Sequence, residues 1–462
     1  MARHNTAPHS TSGMTMVLNG GTGNISGHSD TGVGVVLGGS TNINGVTVNG
    51  TSNTGTGVII NGEANVINAS VNGNSNGTGV SITGAVNITG STVTGNATGN
   101  GNGVNISGNI TDGVISGSAT GNGSGVGISG DSTLNNTTVS GNGTDGSGVN
   151  ISGNLTGDAG STVTGNASGN GNGVNISGNI TDGVISGGAT GNGSGVDISG
   201  NSTLTNTTVS GNGTDGSGVN ISGNLTGDAG STVTGNASGN GTGVDINGTV
   251  TGGDITGNAS GNGNGVNISG NITDGVISGG ATGNGSGVDI SGNSTLTNTT
   301  VSGNGTDGSG VNISGNLTGD AGSTVTGNAS GNGNGVNISG NITDGVISGS
   351  ATGNGAGVDI SGDSTLTNTT VNGNGTDGSG VNISGNLTNS GNSTVTGNAS
   401  GNGTGVDING TVTGGDITGN ASGNGNGVNI SGNITDGVIS GSATGNGAGV
   451  DISGDSTLTN TT

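Results

Sequence analysis

Apolar residues are sparse along this chain, but they fall at regular positions. Gly-Val-x-Ile recurs seventeen times between Val80 and Val450, at steps of 22 to 25 residues. Less regular copies precede it at Val58-Ile59-Ile60, Val35-Val36-Leu37 and Met14-Thr15-Met16. Within each repeat a second apolar residue follows the first Val by six or eight positions (Ile110, Leu134, Leu155). A third precedes the next Val by ten or eleven (Ile115, Val139, Val163). Each apolar position lies in a short segment of β-branched residues, as in Val104-Asn105-Ile106, Ile110-Thr111 and Val114-Ile115-Ser116, bounded by Gly and Asn clusters that read as turns. No segment repeats at the i, i+3, i+4 spacing of an amphipathic helix, and Gly at this density opposes one.

Three strands and three turns make one coil, and stacking coils pairs each strand with its copies above and below. The pattern therefore predicts an all-β fold, a right-handed parallel β-helix with three short strands per coil and coils of 22–25 residues. About nineteen coils at ~4.8 Å per rung would give a rod roughly 90 Å long. Residues 14–462 form the array and 1–13 an irregular N-terminal segment. Above the coil lies a longer duplication, since Val174 to Val336 and Val244 to Val406 are both 162 residues apart.

Alternation along a strand puts Ile176 in the core and Asn175 outside, so Ile176→Asp should damage folding while Asn175→Asp should be nearly neutral. The outer residues of the first strand form a column in which no two Asp are adjacent: Asn175, Asp197, Asn220, then on through Asp245, Asn267, Asp289 to Asn429 and Asp451. That spacing keeps carboxylates two rungs apart. Burial of so few side chains does not offset the chain entropy of a coil, so an isolated coil is expected to be unfolded and a long array stable.

Composition sharpens this picture. The chain has 462 residues, of which 118 are Gly and none is Cys, Phe, Trp or Tyr, so no conventional aromatic core forms. One basic residue, Arg3, stands against 25 acidic ones for a formal charge of −24, which excludes nucleic acid as a partner. Disulfides and thiolate metal sites are excluded, and no apolar run is long enough to span a bilayer or to serve as a secretory signal.

Candidate chemistry is thin. His4, His9 and His28 lie in the irregular start, and the Asp residues recur at equivalent registers, whereas a catalytic site is unique. We expect no enzyme activity, no catalytic or metal residues and no cofactor. Asn192-Gly193-Ser194-Gly195-Val196-Asp197 partly matches a calcium-binding nonapeptide, but the period and the place of Ile198 differ, leaving at most weak, dispersed cation binding. Outward pairs such as Thr138/Ser140 and Thr162/Thr164 suggest an ice-binding face, interrupted where Val114 or Asp254 takes the Thr place. Asn-x-Ser/Thr sequons such as Asn105-Ile106-Ser107, Asn154-Leu155-Thr156 and Asn166-Ala167-Ser168 are frequent because their residues are frequent.

Gly-Val-Asn-Ile-Ser-Gly-Asn and Ser-Thr-Val-Thr-Gly-Asn-Ala-Ser-Gly-Asn resemble passenger repeats of bacterial type V secreted adhesins, the autotransporter and filamentous-haemagglutinin-like proteins. The resemblance covers about residues 14–462. It implies a structural, surface-exposed or secreted rod acting in adhesion, aggregation, biofilm formation and virulence, located outside the cell or at the outer membrane, and bound to a host or bacterial receptor. Such proteins carry an extended signal peptide and a translocator barrel that these residues lack, so the expectation is a C-terminally truncated piece of a longer protein. With an uncovered last coil, it is expected to self-associate end to end. The alternatives are an ice-binding solenoid and a non-functional fragment.

Overall fold

A computed structural model describes residues 15–19, 23–453 and 456–462. The 1–13 segment, and with it His4 and His9, lies outside the described residues. The described chain is an all-β parallel solenoid of about 19 turns, with about three strands per turn. Contacts divide it into two units, Met1–Gly235 and Asn236–Thr462.

In the first unit the Val-x-Ile strands stack in register, Val104 on Val126, then Val149, Val174, Val196 and Val219. The third strands do the same through Ile115, Val139, Val163, Ile185 and Val209. In the second unit the first-strand column runs unbroken from Val244 to Val450. The pairings named here are parallel, as expected when each strand returns to its own sheet one coil later. Ile176 is fully buried, and Asn175 is half-buried on the opposite face.

The second strand departs from the simple column. Ile110 pairs with Leu134, yet Leu155 pairs with Ser132, two residues before that leucine. The same shift recurs where Ser202 meets Leu225, Ser294 meets Leu317 and Ser364 meets Leu387. The six- and eight-residue offsets are thus two registers of one strand. A two-residue shift preserves which face is inward, so both leucine and serine stay buried. Segments also merge: Thr56–Ile67, Thr78–Thr89 and Val104–Thr111 carry the ladder through the first corner, and Ile342–Ala351 and Ser364–Gly375 through the second.

In many coils the second corner is made by Asn or Asp in the left-handed region, for instance Asp112 at φ 50° and Asn136 at φ 46°. These two residue types tolerate that conformation best after Gly. Buried hydroxyls complete the corner. Thr137 is fully buried with Oγ1 2.8 Å from the Asn135 carbonyl, and Ser161 Oγ lies 2.8 Å from the Leu134 carbonyl.

The middle of the third strand is a place of closest approach. Gly165 points inward at Gly173 on the first strand, and a Cβ added to it would fall on the Gly173 carbonyl. Gly349 meets Gly357, and Gly397 meets Gly405, in the same way. No side chain fits between these two backbones, which accounts for Gly in every Val-x-Gly-x-Ala/Gly strand.

Candidate binding groove

Beyond most pinched Gly residues the chain continues as Asn, Ser or Gly, then a small residue, then Ser or Thr, turning the third corner. The strand rule sends the first and last of these outward and the small one inward, and burial follows: Asn398 and Ser400 are exposed while Ala399 is buried. In the second unit register stacks Ser350, Asn374, Asn398, Asn420 and Ser442 in one column. Thr352, Thr376, Ser400, Ser422 and Thr444 line the other side of a groove of about 400 Å³ that follows the stacking direction.

The groove is uncharged, since its lining residues are all Ser, Thr, Asn, Ala or Gly, and it sets their polar groups among a larger share of apolar surface. Its Asn wall is a ladder: Asn398 Nδ2 donates to Asn374 Oδ1 at 3.0 Å, and Asn420 Nδ2 to Asn398 Oδ1 at 3.0 Å. A carboxamide has two N–H donors and two acceptor lone pairs, so Asn398 keeps one of each after both ladder bonds. On the facing wall Ser422 Oγ donates to the Ser400 carbonyl at 3.3 Å and Thr444 Oγ1 to the Ser422 carbonyl at 3.2 Å. Those hydroxyls have spent their proton and retain lone pairs. One wall therefore offers donors and acceptors, the other mainly acceptors.

A second polar system covers the first-strand face. Asp197 Oδ1 accepts from Asn220 Nδ2 at 2.7 Å, and its Oδ2 accepts from Asn172 Nδ2 at 3.0 Å. Asn172 is itself held, because its Oδ1 accepts from the Ser194 backbone N–H at 2.8 Å. Asp289 repeats this arrangement with Asn312 and Asn264, and Asp359 with Asn382 and Asn334. The column expected from spacing alone is thus a hydrogen-bonded spine. The clamping asparagines were not singled out from the sequence, although a signal was present: Asn stands two places before Val in the coil preceding each of Asp197, Asp289, Asp359 and Asp451. The calcium-like segment ends on one of these carboxylates, whose two oxygens face N–H donors. Such donors compete with a cation for the same lone pairs.

A third set of carboxylates caps the second corner. Ser161 Oγ donates to Asp158 Oδ1 at 2.7 Å, and the Asn136 backbone N–H reaches both carboxylate oxygens at 3.0 Å. The Ser161 hydroxyl first, then the Asn136 amide, hold Asp158 below the ordinary carboxylate range, and Asp228 and Asp320 are lowered by Ser231 and Ser323 with Asn206 and Asn298. Their repetition from coil to coil marks them as corner parts.

His28 sits in the first unit, Nδ1 2.8 Å from Thr51 Oγ1 and Nε2 3.4 Å from Asp30 Oδ1, and is exposed. Among the described residues no three His, Cys, Asp or Glu side chains converge as a metal set, and no helix is long and apolar enough to cross a membrane. The outward third-strand column interleaves Thr with exposed valines: Val114 lies between Thr92 and Thr138, and Val276 between Asp254 and Thr300. Val114 is 46% exposed. It keeps the methyl of Thr and lacks the hydroxyl, and Asp254 lacks both. In the sequons the middle residues Ile106, Leu155 and Ala167 are buried. Asn105 is half-buried, whereas Asn154 and Asn166 are exposed. No protein-family model and no curated protein matches this chain, so the groove and the spines are read from their chemistry alone.

Proposed function

We propose that this chain is a structural, adhesive scaffold, part of a bacterial surface-exposed or secreted adhesin, with no chemistry of its own. The observation that carries the reading is repetition of surface chemistry. The same outward residues return at the same register in coil after coil, so any contact made by one coil is available on its neighbours. Repeated weak contacts add through effective concentration, which suits attachment to an extended surface and does not suit a reaction centre. The polar, acidic exterior disfavours nucleic acid and fits display outside the cell. Aggregation and biofilm formation, including self-association of the scaffold, belong to the same reading.

The test is attachment. The purified chain is coupled to beads, and bead adhesion to bacterial and epithelial cell layers is compared with beads carrying an unrelated acidic protein of similar charge. Adhesion that grows steeply with surface density supports the reading. Equal adhesion of both bead types would overturn it. Ice binding is disfavoured by Val and Asp in the Thr column, and thermal hysteresis with ice shaping would restore it. A chain that fails to fold when expressed alone would favour a fragment without function.

A further inference from the structure

We infer that the groove of the second unit binds an uncharged, hydroxyl-rich polymer, a neutral glycan lying along the stacking direction. The inference rests on the adhesive reading and names what the scaffold would attach to. Three observations carry it. First, the walls offer hydrogen bonds in complementary kinds: spare donors and acceptors on Asn374, Asn398 and Asn420, and spare lone pairs on the Ser400, Ser422 and Thr444 hydroxyls. A hydroxyl both donates and accepts, so a polyol edge satisfies either wall.

Second, no lining residue is charged, while the chain as a whole carries a formal −24. An anionic polymer finds no counter-charge in the groove and is repelled at longer range, and a cation finds no carboxylate to pair with inside it. Third, the wall groups repeat once per rung, ~4.8 Å. An extended, flat pyranose chain advances by close to that distance per sugar, so successive sugars meet equivalent Asn and Ser/Thr pairs. An extended peptide also carries donors and acceptors, but it adds to a solenoid at a sheet edge, across the stacking direction, whereas the groove runs with it.

The experiment uses the full chain and a soluble, uncharged, linear β-glucan as probe, followed by calorimetry and by affinity electrophoresis. Polygalacturonate serves as the anionic control and a poly-Thr/Ser peptide as the peptide control. Affinity for the glucan should rise with its length up to the span of the groove. Ser422→Trp, which fills the groove from an exposed position, should weaken binding by about tenfold or more with circular dichroism unchanged. Should Ser422→Trp misfold, the pair Asn398→Leu and Asn420→Leu removes the wall's hydrogen bonds at similar volume and should give the same loss. Glucan binding that is absent, or that survives either folded variant, overturns the inference, as does a preference for polygalacturonate or the peptide. Bead adhesion to cell layers stripped of neutral glycans separates the two levels. If adhesion persists there, the adhesive reading stands and the groove is not its contact.

Discussion

Asn267 Nδ2 donates to Asp245 Oδ1 at 2.8 Å, across one rung of the first-strand face. Asn267 pairs in register with Asp245 on one side and Asp289 on the other, so a single amide separates two carboxylates. Replacing it by Asp removes the donated bond and lines up three charges at ~4.8 Å spacing, each neighbouring pair costing about 1 kcal/mol in a water-like dielectric. Asn267→Asp and Asn382→Asp should therefore lower thermal stability, most at low ionic strength, with much of the loss recovered in high salt. Melts showing the same loss at all salt concentrations would argue against the charge term.

Ile176 and Asn175 test the facing of the strand. Ile176→Asp places a carboxylate in a core with no partner, and local unfolding costing several kcal/mol is the expected result. Asn175→Asp is not the neutral change that alternation alone suggests. Asn175 Nδ2 donates to Asn150 Oδ1 at 2.7 Å, and Asp197 is its register partner on the other side. The variant loses that bond and meets a like charge, so a loss of about 1 kcal/mol is expected. Hydrogen exchange resolved along the chain distinguishes the two: broad deprotection around residue 176 for the first, a small, salt-dependent change for the second.

Those two residues also mark how far the sequence reads by itself. Burial of Ile176 follows from a period of two within a period of 22 to 25, and so do the parallel solenoid and its three strands. What Asn175 touches does not follow, because a hydrogen bond between coils joins residues 25 positions apart whose types are common everywhere in the chain. The serine that substitutes for leucine in the second strand was hidden for a related reason: Ser132 reads as a turn residue until its pairing with Leu155 is known. The groove left no apolar signal at all. Its walls are polar residues in a polar chain, and only stacking at the corner turns Asn398 and Ser422 into the two sides of one cleft.

Gly165 should tolerate no side chain. Its added methyl would collide with the backbone of Gly173, which belongs to a ladder and cannot swing aside as a side chain would. Gly165→Ala is expected to cost about 1–3 kcal/mol or more through forced backbone shifts. Limited proteolysis should find a new cleavage region in the coils that hold residues 165 and 173, and an unchanged digestion pattern would contradict the close approach.

Gly127 offers the opposite case. It occupies the column position held by Asp197 in a later coil, and a Cβ there would meet only the ends of two flexible side chains, 2.7 Å from Asn102 Nδ2 and 3.2 Å from Asn105 Oδ1. Asn102 is already oriented by the Ser124 N–H at 2.8 Å, as Asn172 is by Ser194. Its register neighbours are Asn105 and Asn150, so a new carboxylate meets no like charge. Gly127→Asp should restore the clamp and raise stability by about 1 kcal/mol, from one hydrogen bond and a less flexible unfolded chain. A lowered melting temperature would show that the clamp does not form.

The corner carboxylates predict an acid response. Asp158, Asp228 and Asp320 have folded pKa values below the 3.8 of a free side chain. A lowered folded pKa contributes stability that is fully present above 3.8 and is lost as pH falls through the folded value. Protonation of the remaining acidic groups works the other way, by relieving the repulsion of a −24 chain. The difference between wild type and Asp158→Asn/Asp228→Asn/Asp320→Asn isolates the first effect. The triple variant should be the less stable near neutrality, and the gap should narrow below about pH 4. A gap independent of pH would remove the carboxylates from that role.

Within each unit the coils meet through the same columns of Val, Ile and Gly, while the second-strand register and the Asn/Asp column recur over blocks of several coils. Removing or copying a block of coils that starts and ends at equivalent positions leaves the surviving contacts as they were, whereas removing the single coil of Asn267 would set Asp245 against Asp289. The near-identical stretches 162 residues apart are what such copying leaves behind. For this architecture, size is a copy number that recombination between similar coding segments can change in one step, and a new variant inherits a working core without any new packing to solve.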